Sequence, residues 1–274
     1  MLKTKRRKYF MVLLLLLLAA GVYLGVGIVK SLYLETSLIE LVLPAKGEYT
    51  ATVRVAQVSD LHLAVYGENN QDLVDLIASK HPTIILATGD MIDARAKSID
   101  PTIDLFTRLR GIAPIVYSLG NHEMDRQDLR ELVAALEKAG VRVVHNSIVT
   151  LDINGMTLTI GGLYRAEHLR ELENSGPIDI LLCHFPDKID FFAHYGVPLT
   201  FCGHTHGGQF RVPLFDIPLY APGQGWLPEY TVGLYERYGS FMIVSRGLGN
   251  SSFPFRVFNP PEVVIADITY APMP

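Results

Sequence analysis

VRVAQVSDLH, residues 53–62, is a short β-rich run that stops on Ser59, Asp60 and His62. Such a run reads as a strand, and its polar ending raises the question of what gathers beyond it. The same grammar recurs along the chain. TIILATGD (83–90) ends in Gly89-Asp90, PIVYSLGNHE (114–123) in Gly120-Asn121-His122-Glu123, DILLCH (179–184) in Cys183-His184, and LTFCGHTH (199–206) in Gly203-His204-Thr205-His206. Helical segments follow the first three runs: NNQDLVDLIAS (69–79), IDPTIDLFTRLR (99–110) and MDRQDLRELVAALEKAG (124–140). In the last, Leu129, Leu132, Val133 and Leu136 fall at helical spacing and Gly140 supplies a stop. Further apolar runs at 141–145, 156–162, 240–245 and 262–268 come with few helices. Strand and helix alternating first, then strands alone, predict a mixed α/β domain with two packed sheets.

In open α/β sheets ligands collect beyond the carboxyl ends of strands, so these five loops are expected to converge on one crevice. Taken singly each fragment is weak: an Asp after a strand is often a helix cap, Gly-Asp is common in turns, and a lone His is more often hydrogen-bonded structure. Five in order, each at a strand end, read as a site. Asp60 and His62 flank a single residue and can bite one cation, while the two oxygens of Asp90 can bridge two. Asn121 offers a neutral carbonyl oxygen, and His184, His204 and His206 offer imidazole nitrogens. Nitrogen and oxygen donors without thiolate suit Mn, Fe, Zn or Co better than Mg or Ca. Two such ions about 3.5 to 4 Å apart clamp an in-line displacement at phosphorus.

The order DLH, GD, GNHE, a single His and GHTH resembles the calcineurin-like metallophosphoesterase superfamily over about residues 53 to 268. GHTHGGQ (203–209), SRGLGN (245–250), PFRVFNPPE (254–262) and the apolar N-terminal segment are similar to its membrane-anchored YkuE/YaeI-like branch, which is related to UDP-2,3-diacylglucosamine pyrophosphohydrolases. The resemblance implies a four-layer α/β/β/α sandwich and a metal-dependent phosphodiesterase or phosphohydrolase. It implies that Asp60, His62 and His206 hold one ion, that Asn121, His184 and His204 hold a second, and that Asp90 bridges them. It further implies attack by a metal-bridging hydroxide, with His122 stabilising the transition state and protonating the leaving oxygen. Arg246 and Arg256 lie in matching segments, where each either contacts a phosphate oxygen or forms an ion pair on a loop. One departure stands out: Gly161-Gly162 is followed by Leu163-Tyr164-Arg165 where the branch favours an acidic residue, so the local pocket differs.

The N-terminus carries Lys3, Lys5, Arg6, Arg7 and Lys8 and then an uncharged stretch with six consecutive leucines. Phe10–Val29 is 20 residues, and at about 1.5 Å each it matches the roughly 30 Å hydrocarbon core of a bilayer. It is read as an uncleaved transmembrane helix, the bilayer being the first expected partner. A cleavable secretory signal is the competing reading, and Arg6-Arg7 also resembles a twin-arginine export signal. Basic residues ahead of the span keep the N-terminus cytoplasmic, which predicts a single-pass cell-membrane protein with an extracytoplasmic catalytic domain. The expected division is 1–30 as basic tail and anchor, 31–52 as a connecting segment, and 53–274 as the phosphoesterase domain.

Without the basic tail the chain has 19 basic against 28 acidic residues, a net of −9, which excludes nucleic acid as a partner. Two cysteines, Cys183 and Cys202, do not make a disulfide framework; they read as small buried residues on neighbouring strands, with a disulfide as the alternative. Residues 210–238 place four prolines among Phe210, Phe215, Tyr220, Trp226 and Tyr230. A loop of that length is either an ordered flap over the sheet edge or a flap facing substrate or lipid. Given an outward-facing site, a phosphorylated lipid or cell-envelope phosphodiester or pyrophosphate is the expected substrate. The alternatives are a UDP-2,3-diacylglucosamine pyrophosphohydrolase and a non-catalytic metal-binding adaptor.

Overall fold

Alternation along the strands sorts their side chains into separate cores. Val53 and Val55 turn to one face of their strand and Ala56 and Val58 to the other, as the two-residue period of a strand requires. A computed structural model describes residues 2–48, 50–250 and 253–272; residues 1, 49, 251, 252, 273 and 274 lie outside the described residues. The chain begins with α1 (Leu2–Lys30) and β1 (Glu35–Pro44). Then β2 (Ala51–Val58), α2 (Gln71–Ser79), β3 (Ile84–Ala87), α3 (Asp100–Arg110), β4 (Ile115–Ser118), α4 (Asn121–Met124), α5 (Leu129–Lys138) and β5 (Arg142–Val144) follow as crossover units. These strands and β16 (Glu262–Ala271) form a six-stranded sheet in the order β1-β16-β2-β3-β4-β5.

The second half opens with β6 (Ser147–Ile153), β7 (Met156–Leu163), β8 (Ile180–Cys183), α6 (Ile189–His194) and β9 (Leu199–Cys202). Two small hairpins pair β10 (Arg211–Val212) with β11 (Ile217–Pro218) and β12 (Tyr220–Ala221) with β13 (Gly225–Trp226). With β14 (Gly233–Arg237) and β15 (Ser240–Val244), the second sheet runs β14-β15-β9-β8-β7-β6.

Val53, Ile84, Leu86 and Val116 of the first sheet meet Leu158, Ile160, Leu182 and Phe201 of the second in a shared apolar core. The opposite face of the first sheet is covered by α2, α3 and α5 through Leu73, Ile77, Phe106, Leu132 and Leu136. The outer face of the second is covered by α6 and the turn-rich segment Ala166–Ser175. The result is the expected α/β/β/α sandwich, with an apolar helix before it. Cys183 and Cys202 sit buried as free thiols on the neighbouring strands β8 and β9.

Two stretches differ from expectation. Residues 31–52, read as a connecting segment, contain β1, which pairs in parallel with β16 from Glu35–Glu262 to Pro44–Ala271. The sheet therefore begins well before residue 53. Residues 210–238, read as lacking secondary structure, hold both hairpins and β14.

The helix α1 is exposed over most of its length, and among the described residues it is the one helix long and apolar enough to cross a membrane. Its last turn is docked. Gly27 leaves no room for a Cβ against Val257 and Phe258, Phe258 N–H donates to the Gly27 carbonyl at 3.0 Å, and Asn259 N–H donates to Ser31 Oγ at 2.9 Å.

Candidate metal centre

Every loop expected to carry a ligand leaves the same edge of the sandwich. Asp60 and His62 follow β2, Asp90 follows β3, and Asn121 and His122 open α4 directly after β4. His184 follows β8, while His204 and His206 follow β9. Asp60, His62, Asp90, His204 and His206 all have φ between 47° and 70°, a region that non-glycine residues seldom occupy. The chain thus turns back at each strand end and aims these side chains inward. Two glycines make the approach possible: a Cβ on Gly203 would strike Ser59 Oγ and Asp60 Oδ2, and one on Gly120 would strike Asp90 Oδ1.

The donor atoms fall into three groups, Asp60 with His62 and His206, Asp90 with His184 and His204, and His62 with Asp93 and His122, the first and third sharing His62. In the first, His62 Nε2 and His206 Nε2 lie 3.3 Å apart, and His206 Nε2 is 3.5 Å from Asp60 Oδ1. In the second, His184 Nε2 lies 3.2 Å from both His204 Nδ1 and Asp90 Oδ2. Asp90 Oδ2 is also 3.9 Å from His62 Nε2, so this carboxylate stands between the groups. Asn121 Oδ1 is buried with no hydrogen-bond partner. A buried carbonyl oxygen without a donor is costly, and paired imidazole nitrogens facing carboxylates leave lone pairs converging where cations fit. The residues present suit two divalent ions.

The remaining ring atoms are fixed from behind. His184 Nδ1 donates to the Thr88 carbonyl at 2.7 Å and His206 Nδ1 to the Gly249 carbonyl at 3.1 Å, which turns both Nε2 atoms into the site. The carboxylates are met by backbone N–H groups: His204 N–H donates to Asp60 at 3.0 Å, and His122 N–H to Asp90 Oδ1 at 2.8 Å. Burial lifts the Asp60 carboxyl to about 6. At Asp90 burial pushes the same way but is outweighed by His184, His62 and His122, which hold its carboxyl far below the usual range. Burial pushes His62 down to about 4 and His204 to about 3. His184, despite its burial, is drawn up to about 10 by Asp90. Neutral imidazoles beside carboxylates are the state in which metal ligands bind, and a cation displaces any proton left on His184.

His122 stands outside the first two groups and falls in the third, with His62 and Asp93. Its ring meets that of His62 edge-on at 4.5 Å between centroids, and its Nδ1 accepts the Ala94 N–H at 3.1 Å. With Nδ1 accepting, Nε2 is the ring nitrogen left to carry a proton.

The two arginines proposed from sequence lie nearby, each with donors engaged inside the protein. Arg246 pairs with buried Glu262 at 2.7 Å. Arg256 is buried behind His206, donating to the carbonyls of Arg246 and Gly249. The ion-pair alternative thus describes Arg246. Arg256 is engaged through all three of its nitrogens, whereas Arg246 Nε is buried with no hydrogen-bond partner.

Two residues that the sequence reading passed over brace the site. Glu123 is buried and accepts N–H bonds from Asp90, Gly120 and Ile92 as well as the Tyr117 hydroxyl, and burial, followed by the charge of Asp90, raises its carboxyl. Asp93 lies 3.6 Å from Nδ1 of both His62 and His122, and hydrogen bonds from Arg95 hold it down at about 2. The only signal for Asp93 was its place three residues after Asp90. Beside His204 a cavity of about 250 Å³ is lined by Phe185, Pro222, Gly223, Arg165 and Lys188. Arg165, at the departure noted above, lies over the Phe185 ring at 4.9 Å.

A family model described as calcineurin-like phosphoesterase matches residues 53–208. An uncharacterized metallophosphoesterase of Aquifex aeolicus is 32% identical over 79% of this chain and 85% of its own length. The uncharacterized metallophosphoesterase YkuE of Bacillus subtilis is 27% identical over 96% of this chain and 98% of its own. The UDP-2,3-diacylglucosamine pyrophosphatase LpxG of Chlamydia muridarum is 24% identical over 88% and 92%.

Proposed function

From the premise that the chain belongs to the calcineurin-like phosphoesterase family and is a metal-dependent hydrolase, we propose that it is a membrane-anchored dimetal phosphoesterase cleaving phosphodiester or pyrophosphate bonds of a lipid or envelope substrate. The convergence of the two donor groups on Asp90, with Asn121 Oδ1 left unpartnered, carries this reading. Asp60, His62 and His206 hold one ion, Asn121, His184 and His204 hold the other, and Asp90 reaches both; Mn, Fe, Zn or Co suits the donors. Bound there, the ions supply Lewis acidity at the phosphoryl group and lower the pKa of water. His122 holds its proton at Nε2 and passes it to the leaving oxygen. Pro222 and Gly223 line the cavity beside His204, and its wall carries Arg165 and Lys188 alongside Glu167 and Asp187.

We place the catalytic unit from β1 onward, with Phe10–Val29 in the bilayer and the domain outside the cytoplasm. The full chain in detergent, supplied in turn with Mn, Fe, Zn and Co, is expected to hydrolyse bis-p-nitrophenyl phosphate; no turnover with any of the four overturns the enzyme reading. His122→Ala separates enzyme from adaptor, since an enzyme keeps its metal and loses roughly 10²–10⁴ in rate.

The likeness to LpxG along most of both chains favours a second reading, hydrolysis of a UDP-linked lipid. A cytoplasmic site suits that substrate, whereas the basic residues before α1 favour an external one. A fluorescent reporter fused after residue 274 distinguishes them: fluorescence from the cytoplasm supports the UDP-lipid reading and sinks the external one.

A further inference from the structure

The catalytic loop and the end of the membrane helix are joined through one short segment. Asn259 Nδ2 donates to the carbonyls of His206 and Gln209, while its backbone N–H donates to Ser31 Oγ at the end of α1. Phe258, its neighbour, meets the Tyr23 ring at 4.7 Å between centroids. Tyr23 lies seven residues before Lys30, about 10 Å back along the helix toward its middle. The domain therefore touches α1 over the last turns of the span, so its surface around Phe258 meets the boundary of the bilayer.

Val257, packed against Gly27, bridges to Phe210, where a connected aromatic strip begins. Phe255 and Phe253 each meet Phe210, at 5.6 and 5.0 Å, Phe253 meets Tyr220 at 6.1 Å, and Tyr220 meets Trp226 at 5.7 Å. Gln209 of the catalytic loop holds the strip by donating to the carbonyls of Phe253 and Phe255. Its far end is bare: Trp226 is 77% and Leu227 68% exposed. The hairpin that carries Trp226 turns at its other side over the metal centre, where a Cβ on Gly223 would come within 3.3 Å of His204 Nε2. A contiguous exposed apolar surface marks an interaction site, and indole and phenyl rings at the edge of a span favour the boundary between hydrocarbon and water.

Resting on the reading that α1 spans a bilayer, we propose that the strip from Phe255 to Trp226 and Leu227 lies in the headgroup layer of that bilayer, so that the metal centre draws its substrate from the membrane surface. An amphiphile keeps its chains in the bilayer while its phosphate enters the cavity between Phe185 and the hairpin. Continuity with the docked end of α1 selects the bilayer as the occupant of this surface.

Trp226 is the single tryptophan of the chain, which gives a direct test without substitution. The full-length protein is reconstituted in vesicles of phosphatidylcholine and phosphatidylglycerol, with and without phosphatidylcholine brominated near the glycerol end of its acyl chains. Trp226 emission should fall to roughly half or less with the brominated lipid and resist quenching by aqueous iodide, as for an indole at headgroup depth. Protein that floats with the vesicles but shows no bromolipid quenching and full iodide quenching overturns the proposal. Protein that does not float sinks the anchor reading and this proposal together. Hydrolysis of bis-p-nitrophenyl phosphate in the same samples reports on catalysis separately, because a silent metal centre leaves the Trp226 signal unchanged.

Discussion

The two sheets contribute unlike halves to the site. Loops of the first supply both carboxylates, the Asn121 amide and His62; loops of the second supply imidazoles alone, His184, His204 and His206. The difference lies in what each donor needs from the backbone. A buried carboxylate must receive hydrogen bonds, and Asp60 and Asp90 receive N–H groups from His204 and His122. A buried imidazole needs an acceptor behind it, and His184 and His206 find the carbonyls of Thr88 and Gly249. Two of these bonds cross between sheets, His204 to Asp60 and His184 to Thr88, so the centre itself ties the sandwich edges together. The bracing also differs: Glu123 holds the first half from within its own sheet, whereas Asn259 and Arg256 hold the second from the C-terminal segment docked on α1.

The residue shared by both halves should matter most. Asp90→Asn removes one charged oxygen between the donor groups and is expected to lower hydrolysis of bis-p-nitrophenyl phosphate by more than the roughly 10²–10⁴ of a lost proton donor, with both ions weakened in a metal-content assay. Retention of either ion at wild-type affinity would show that the halves are independent. Glu123→Gln follows. Its amide can satisfy only part of the ring of donors that Glu123 accepts, leaving buried N–H groups unpaired at about 2–4 kcal/mol in total. A melting temperature lower by about 5–15 °C is expected, together with loss on the first sheet's side, at Asp90 and Asn121. An unchanged melt would mean that the loops stand without their brace.

Much of this was legible because strands announce themselves by period and stop on chemistry. The runs ending at Asp60, Asp90, Asn121, His184 and His204 each show a short apolar stretch and a polar break, and the order of the breaks carried the resemblance from which the ligand set is proposed. The strand β1 hid because it is an edge: Leu38 and Val42 are exposed while Leu41 and Leu43 are buried, so apolar residues fall on both faces and no alternation shows. Glu123 and Asp93 hid for another reason. They act on backbone N–H groups and on ring atoms facing away from the site, and such partners leave no pattern in side-chain spacing. For Arg246 and Arg256 the sequence shows a guanidinium but not the carbonyls and the Glu262 carboxylate that engage part of it.

The smallest expected effect gives the sharpest comparison. Asn259→Ala strips the carbonyls of His206 and Gln209 of their side-chain donor while leaving the backbone bond from residue 259 to Ser31 in place. Two neutral hydrogen bonds are worth about 1–2 kcal/mol together, so the melt should move less than in Glu123→Gln. The orientation of His206, however, depends on this loop, and loss of support behind a ligand typically weakens a metal by about 10–100-fold. The ion held by Asp60, His62 and His206 should therefore leave first on titration with a chelator, with the ion at Asn121, His184 and His204 retained. If both ions leave together, the halves are coupled through Asp90 more tightly than their separate braces imply, and the bond from the catalytic loop to the anchored segment serves position alone.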